Sequence, residues 1–145
     1  MDIIIKKVHS INDIVISGII VISGIILLFF NIWSAVALIL CGIVMLLFYR
    51  SGYKRVGSPV LLKRKMVELR YSCKSSLLDF LNGKEVEPEL VAGNEGGTIR
   101  LELWYNKPEG ITYAKLSEYR EYLFHDLTDI VELQAEKAKK IIDRI

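Results

Sequence analysis

Charge is missing from two long stretches of this chain. Residues 14–30 and 33–49, 17 residues each, contain no Asp, Glu, Lys, Arg or His. Cysteine is nearly missing too: Cys41 lies inside the second run and Cys73 lies far beyond it, so no disulfide framework is expected. The two histidines, His9 and His125, are distant in sequence and join no ligand-spaced partner. No metalloprotease helix motif, phosphate-binding P-loop, dinucleotide fingerprint, paired-cysteine zinc motif or nucleophile elbow occurs. These absences argue against an enzyme, and neither a metal nor a cofactor is expected.

What is present begins with the apolar runs themselves. At about 1.5 Å per residue each spans roughly 25 Å as a helix, close to the ~30 Å hydrocarbon core of a bilayer. Only Asn31 and Ile32 separate them. The pattern predicts an α-helical transmembrane hairpin, with helices over about 14–30 and 33–49 inside a two-helix anchor at 1–50. Residues 1–12 are expected as a short interfacial lead-in. No small-residue cleavage pattern follows Phe30, which argues against a signal peptide. Residues 15–20 and 21–26 repeat the sequence VISGII. Ser17 and Gly24, seven apart, share a helix face. Ser34, Ala37 and Cys41 form a similar strip on the second run, with Ala35 and Gly42 beside it. Small residues of this kind let two helices approach closely.

The net charge of +2 conceals an asymmetry. Arg50, Lys54, Arg55, Lys63, Arg64, Lys65, Arg70 and Lys74 crowd the stretch after the second run, against the single acid Glu68. Residues 75–145 hold nine bases and fourteen acids. The positive-inside rule then places the basic block, and with it both termini, in the cytoplasm of an inner-membrane, multi-pass protein. Anionic lipid head groups are the expected partners of the block. No duplex nucleic acid is expected as a partner.

Beyond a linker at 51–57, residues 58–145 predict a small cytoplasmic α+β domain of order α-β-β-α. Ser58 and Pro59 suit a helix start, and Leu62, Met66, Leu69, Cys73, Leu77, Phe80 and Leu81 recur at helical steps up to the stop at Asn82 and Gly83. Alternation over 98–105 predicts a strand, paired in a hairpin around the glycine-rich loop 93–97. After the turn at 107–110, Leu116, Tyr119, Leu123, Leu127 and Ile130 predict a long C-terminal helix. So small a domain is marginal alone, and a homo-oligomer, dimer or tetramer, is expected.

The candidate ligand site is the hairpin. Asn94, Gly96 and Gly97 offer backbone N–H groups to an anion. Arg100 and Trp104 are expected on the solvent face of the strand, one to neutralise phosphate and one to stack on a base. Lys107 follows. A second candidate surface comprises Arg120, Tyr122 and His125.

The layout of two-helix anchor, basic juxtamembrane segment and small cytoplasmic domain resembles the compact membrane effectors of bacterial antiphage defence, above all the small effectors of type III CRISPR systems. That resemblance implies a nucleotide-binding antiviral effector, whose cytoplasmic domain takes a cyclic oligonucleotide and whose hairpin acts on the membrane. The alternatives are a non-enzymatic adaptor or scaffold subunit of a larger membrane complex, or a holin-like phage protein.

Overall fold

The structure is a computed structural model that describes residues 3–93 and 98–144. The chain divides into two compact units. One is Lys6–Lys54; the other takes the residues up to 5 and those from 55 onward.

The first unit is a helical hairpin closed at its base by short strands. Strand β1 (Ile5–Val8) neighbours β2 (Gly52–Arg55), and helices α1 (Ile11–Leu27) and α2 (Ile32–Phe48) lie between them in sequence. Ser10 caps α1: its hydroxyl accepts from Asp13 N at 3.2 Å, and the Asp13 carboxylate accepts from Ser10 N at 2.9 Å. This reciprocal pair satisfies two donors that a helix start leaves open. Asn31 caps α2 through its side-chain oxygen, which accepts from Trp33 N and Ser34 N. The helices meet through small residues. Ser17 and Gly24 of α1 and Ala35 and Gly42 of α2 are buried. A Cβ placed on Gly24 would lie 3.1 Å from the Ala35 carbonyl oxygen, and one on Gly42 would lie 3.1 Å from that of Ser17. The backbones therefore approach as closely as missing side chains permit.

The transmembrane hairpin expected from the sequence is corrected here. Among the described residues no helix is long and apolar enough to cross a membrane. The first apolar run is not wholly helical. Helix α1 starts three residues before the run, at Ile11, takes in Asn12 and Asp13, and stops at Leu27; residues 28–30 form turns. Its uncharged helical part is then about 21 Å long at 1.5 Å per residue, and the 17 residues of α2 reach about 25 Å, against the ~30 Å of a hydrocarbon core. The inner-membrane, multi-pass placement with both termini inside falls with it.

The second unit is a sheet with helices on one face. Strands β3 (Leu61–Leu69), β4 (Ile99–Asn106), β5 (Ile111–Arg120) and β6 (Leu123–Asp126) follow in that order, and β7 (Val131–Leu133) pairs with the same edge of β5 as β6 does. Every pairing in it is antiparallel. A 3-10 turn (Tyr71–Cys73) leads into α3 (Lys74–Leu81), and α4 (Ala135–Ile142) closes the chain. One sheet face carries Leu69, Ile99, Leu101, Leu103, Ala114 and Leu116, which pack with Leu77, Phe80 and Leu81 of α3 and Ala138 and Ile141 of α4 as a single core.

The α-β-β-α order is corrected as well. Residues 61–69 form a strand where a helix was expected. Leu62 and Leu69, which share a stripe at helical spacing, point to opposite faces of β3, as odd and even strand positions must. The expected hairpin around the glycine loop is absent from the described residues: β4 pairs with β3 and β5, while Ala92 makes only an isolated bridge to Leu69. The long C-terminal helix is replaced by β5, β6, β7 and the short α4. The turn at 107–110 is where it was expected, with Gly110 at φ 65°, but it joins two strands.

Candidate functional site

The sheet face turned away from α3 and α4 is polar, and its charges are arranged as pairs. Arg64 meets Glu102 at 2.8 Å, Arg100 meets Glu68 at 2.7 Å, and Lys115 meets Asp126 at 2.7 Å. Each joins neighbouring or next-neighbouring strands, the sheet counterpart of helical ion pairs. Arg55 adds a bond to the Tyr113 hydroxyl at 3.1 Å and lies 3.3 Å from Glu132.

Two residues of the expected ligand site stand in this ladder. Arg100 is on the polar face, as expected, with Glu68 on one side and its guanidinium 3.5 Å from the centre of the Phe124 ring. Trp104, expected on a solvent-facing surface, is 6% exposed, with the Arg64 guanidinium 5.9 Å from its ring centre. Among the described residues, the Nε of Arg100 and the Nε1 of Trp104 are buried without a hydrogen-bond partner. Four strand positions separate the two residues, about 13 Å, with Glu102 between them. Asn94, Gly96 and Gly97 lie outside the described residues.

Lys107, the remaining residue of that group, sits in the β4–β5 turn on a groove. Two cavities adjoin there and share Asn106 and Lys107. The first, about 270 Å³, lies against α4 and is lined by Thr112, Ala135, Ala138, Lys139 and Ile142 as well. The second, about 490 Å³, lies against β3 and is lined by Leu61, Lys63, Tyr105 and Pro108. Lys107 has one carboxylate near it, Asp143 at 4.0 Å.

The second expected surface is rearranged by the change from helix to hairpin. Arg120 ends β5, Tyr122 occupies the β5–β6 turn at 90% exposure, and His125 lies on β6 opposite Glu118. The turn holds Glu121 at φ 51° and Tyr122 at φ 66°, the left-handed region that usually calls for Gly or Asn. Arg120 reaches Glu118 at 2.6 Å, and Lys74 reaches the same carboxylate oxygen at 2.9 Å. The Lys74 hydrogen bond, joined by the bond from Arg120 and against the opposing effect of burial, holds the Glu118 carboxyl below its usual range; Glu118 in turn raises Lys74. Glu118 and Lys74 were not legible as partners, being 44 positions apart.

In the hairpin unit the structure assembles a cluster around Asp13 from residues distant in sequence. Asp13 is 3% exposed. Its oxygens accept from Ser51 Oγ at 2.6 Å, Ser51 N at 2.8 Å and Ser10 N at 2.9 Å. The two serine hydroxyls are 3.0 Å apart. The Ser51 hydroxyl, with the main-chain donors behind it, holds the Asp13 carboxyl far below the usual range, against the opposing effect of burial. The spacing Ser-x-x-Asp before an apolar run was the available signal for the cap; nothing local pointed to Ser51.

No family model matches this chain, and neither a curated protein nor a solved structure shows significant similarity to it.

Proposed function

We propose that this chain is a non-catalytic assembly protein, in which the helical hairpin packs against hairpins of other copies and so gathers the α+β units. The observation that carries this reading is the outer surface of the hairpin. Val15, Ile19, Ile22 and Ile26 of α1 are 51–59% exposed, and Val36, Leu40, Ile43 and Leu47 of α2 are 41–58% exposed. Both sets step by four, three and four residues, the spacing at which two helices interlock side chains along a shared stripe. Both stripes point away from the small-residue face that joins α1 to α2. A helix apolar on all sides belongs in an interior. At roughly 25 cal/mol per Å² of apolar surface, leaving these side chains in water is costly, and a bundle of hairpins removes them from it.

The test is sedimentation of the full chain beside a variant carrying Ile19→Glu and Leu40→Glu. The wild type is expected to sediment as a dimer or tetramer. The variant places charge in the bundle and should dissociate, with a dissociation constant raised about 100-fold or more, ~2.8 kcal/mol at 1.4 per tenfold, and an unchanged circular dichroism spectrum. A monomeric wild type would overturn the proposal. So would a variant that assembles equally well, including one that loses only attachment to phosphatidylcholine vesicles, which would give the stripes to lipid.

A further inference from the structure

The groove at the β4–β5 turn joins two chemistries. Its β3 side is cationic: Lys63 and Lys107 line the larger cavity together with Tyr105. Its α4 side is largely apolar: Ala135, Ala138 and Ile142 line the smaller cavity, with Lys139 and Asp143 at it as well. The cations are brought from three elements distant in sequence, so their proximity is a product of the fold. Most other cations of this unit are spent. Arg55, Arg64, Lys74, Lys84, Arg100, Lys115, Arg120 and Arg144 are all held by carboxylates at 3.3 Å or less, while Lys65, Arg70, Lys137 and Lys140 meet none among the described residues. Among the described residues, Lys63 and Lys139 have no carboxylate within salt-bridge distance, and the Lys107 contact with Asp143, at 4.0 Å, is the longest ion pair in the molecule. Three ammonium groups against one carboxylate leave the groove a net charge of two positive. Like charges held together without a counter-ion are unfavourable, and an anion relieves them.

We infer that this groove binds an organic phosphate carrying a planar ring, a ligand of the nucleotide class. The phosphates lie at Lys63 and Lys107, and the ring enters the cavity of about 270 Å³ against Ala138 and Ile142. Lysine suits the first role as a compact point charge with three donors. The second needs an apolar wall of small side chains, which the spacing of Ala135, Ala138 and Ile142 on one face of α4 supplies. Asn106 is partly committed. Its side-chain amide donates to the Leu61 carbonyl at 2.9 Å, and its oxygen accepts from Glu109 N at 3.1 Å. These bonds hold the turn that carries Lys107. The inference is independent of whether the hairpins assemble.

Calorimetry of the full chain with three probes decides it: ATP, inorganic pyrophosphate and adenosine, each at low and at raised salt. ATP is expected to bind most tightly and pyrophosphate more weakly, with both weakened by salt; adenosine is expected to give no saturating signal. The double variant Lys63→Ala, Lys107→Ala should lower ATP affinity at least tenfold while leaving the thermal melt in place, because both side chains are exposed. Lys139→Ala, read separately, should also weaken ATP. No binding of any probe by the wild type overturns the inference, as does adenosine binding as tightly as ATP. ATP affinity unchanged in the double variant also overturns it.

Discussion

Asp13 is the only acid in the hairpin unit, and it is placed where the two ends of the hairpin meet. Through Ser10 it starts α1; through Ser51 it fixes the chain that leaves α2. One buried carboxylate thus caps a helix and ties its own strand of chain to a residue 38 positions away. Its charge is held by donors, so its folded-state pKa is lowered from the ordinary 3.8. For a lowered carboxylate the contribution to stability is complete above that value and is lost as pH falls through the folded-state pKa. Asp13→Asn keeps the shape but turns an amide N–H₂ toward donors. The variant is expected to melt at a lower temperature near neutral pH, and to show a flatter loss of stability between about pH 4 and pH 2 than the wild type. Circular dichroism melts across pH check both, and equal melting temperatures near neutrality would contradict the role given to Asp13.

At the scale of elements, the hairpin was legible because its apolar runs are long and uninterrupted, and because small residues seven apart mark a contact face. The expected Ser17 and Gly24 face is buried, but the strip expected on the second run, Ser34, Ala37 and Cys41, is exposed, and Ala35 and Gly42 beside it make the contact instead. What the runs could not reveal was where helix stops and turn begins. Hydrophobicity continues through Phe30, but the helix does not. In the α+β unit β4 was legible from strict alternation. Strand β5 was not, since it is buried on both faces and shows no clean period of two. The β5–β6 turn was hidden for a different reason: Glu121 and Tyr122 adopt positive φ without the Gly or Asn that announces such a turn. Of the residues that line the proposed groove, Lys107 could be placed from the sequence at the turn it occupies. The partners Lys63 and Lys139 could not, because only the sheet register and the docking of α4 bring them near. The hairpin contact yields a paired prediction. A Cβ at Gly42 would meet Val21 Cγ2 at 2.6 Å and backbone atoms of Ser17 and Val21 at 3.1 Å, whereas one at Gly18 meets nothing within 4 Å. Gly42→Ala should therefore destabilise the hairpin by ~1–3 kcal/mol, the range for overpacking. Gly18→Ala should stabilise it by about 0.5–1 kcal/mol through helix propensity. Thermal melts in which the two substitutions shift stability in the same direction would contradict the packing described.

For the molecule as a whole, the two units differ in how they are completed. The α+β unit has a core of its own, with thirteen buried residues gathered between the sheet and its two helices. The hairpin unit has only a narrow internal contact and a broad aliphatic exterior. Other copies of the hairpin offer the same stripes and the same spacing, and the proposed assembly rests on them. Helices packed in a bundle lie about 8–10 Å apart, close enough for a short cross-linker between equivalent positions on facing helices. The most direct measurement places one cysteine on the outer stripe, Leu40→Cys, in a chain whose other exposed cysteine is removed by Cys41→Ser; Cys73 is buried and stays. Treated with a short bis-maleimide at increasing dilution, this chain should give a discrete dimer or tetramer band whose yield is held until the protein is dilute. A Ser34→Cys chain in the same background, outside the stripe, should cross-link far less. Cross-linking that falls in proportion to dilution, or is equal at the two positions, would contradict assembly through the hairpin.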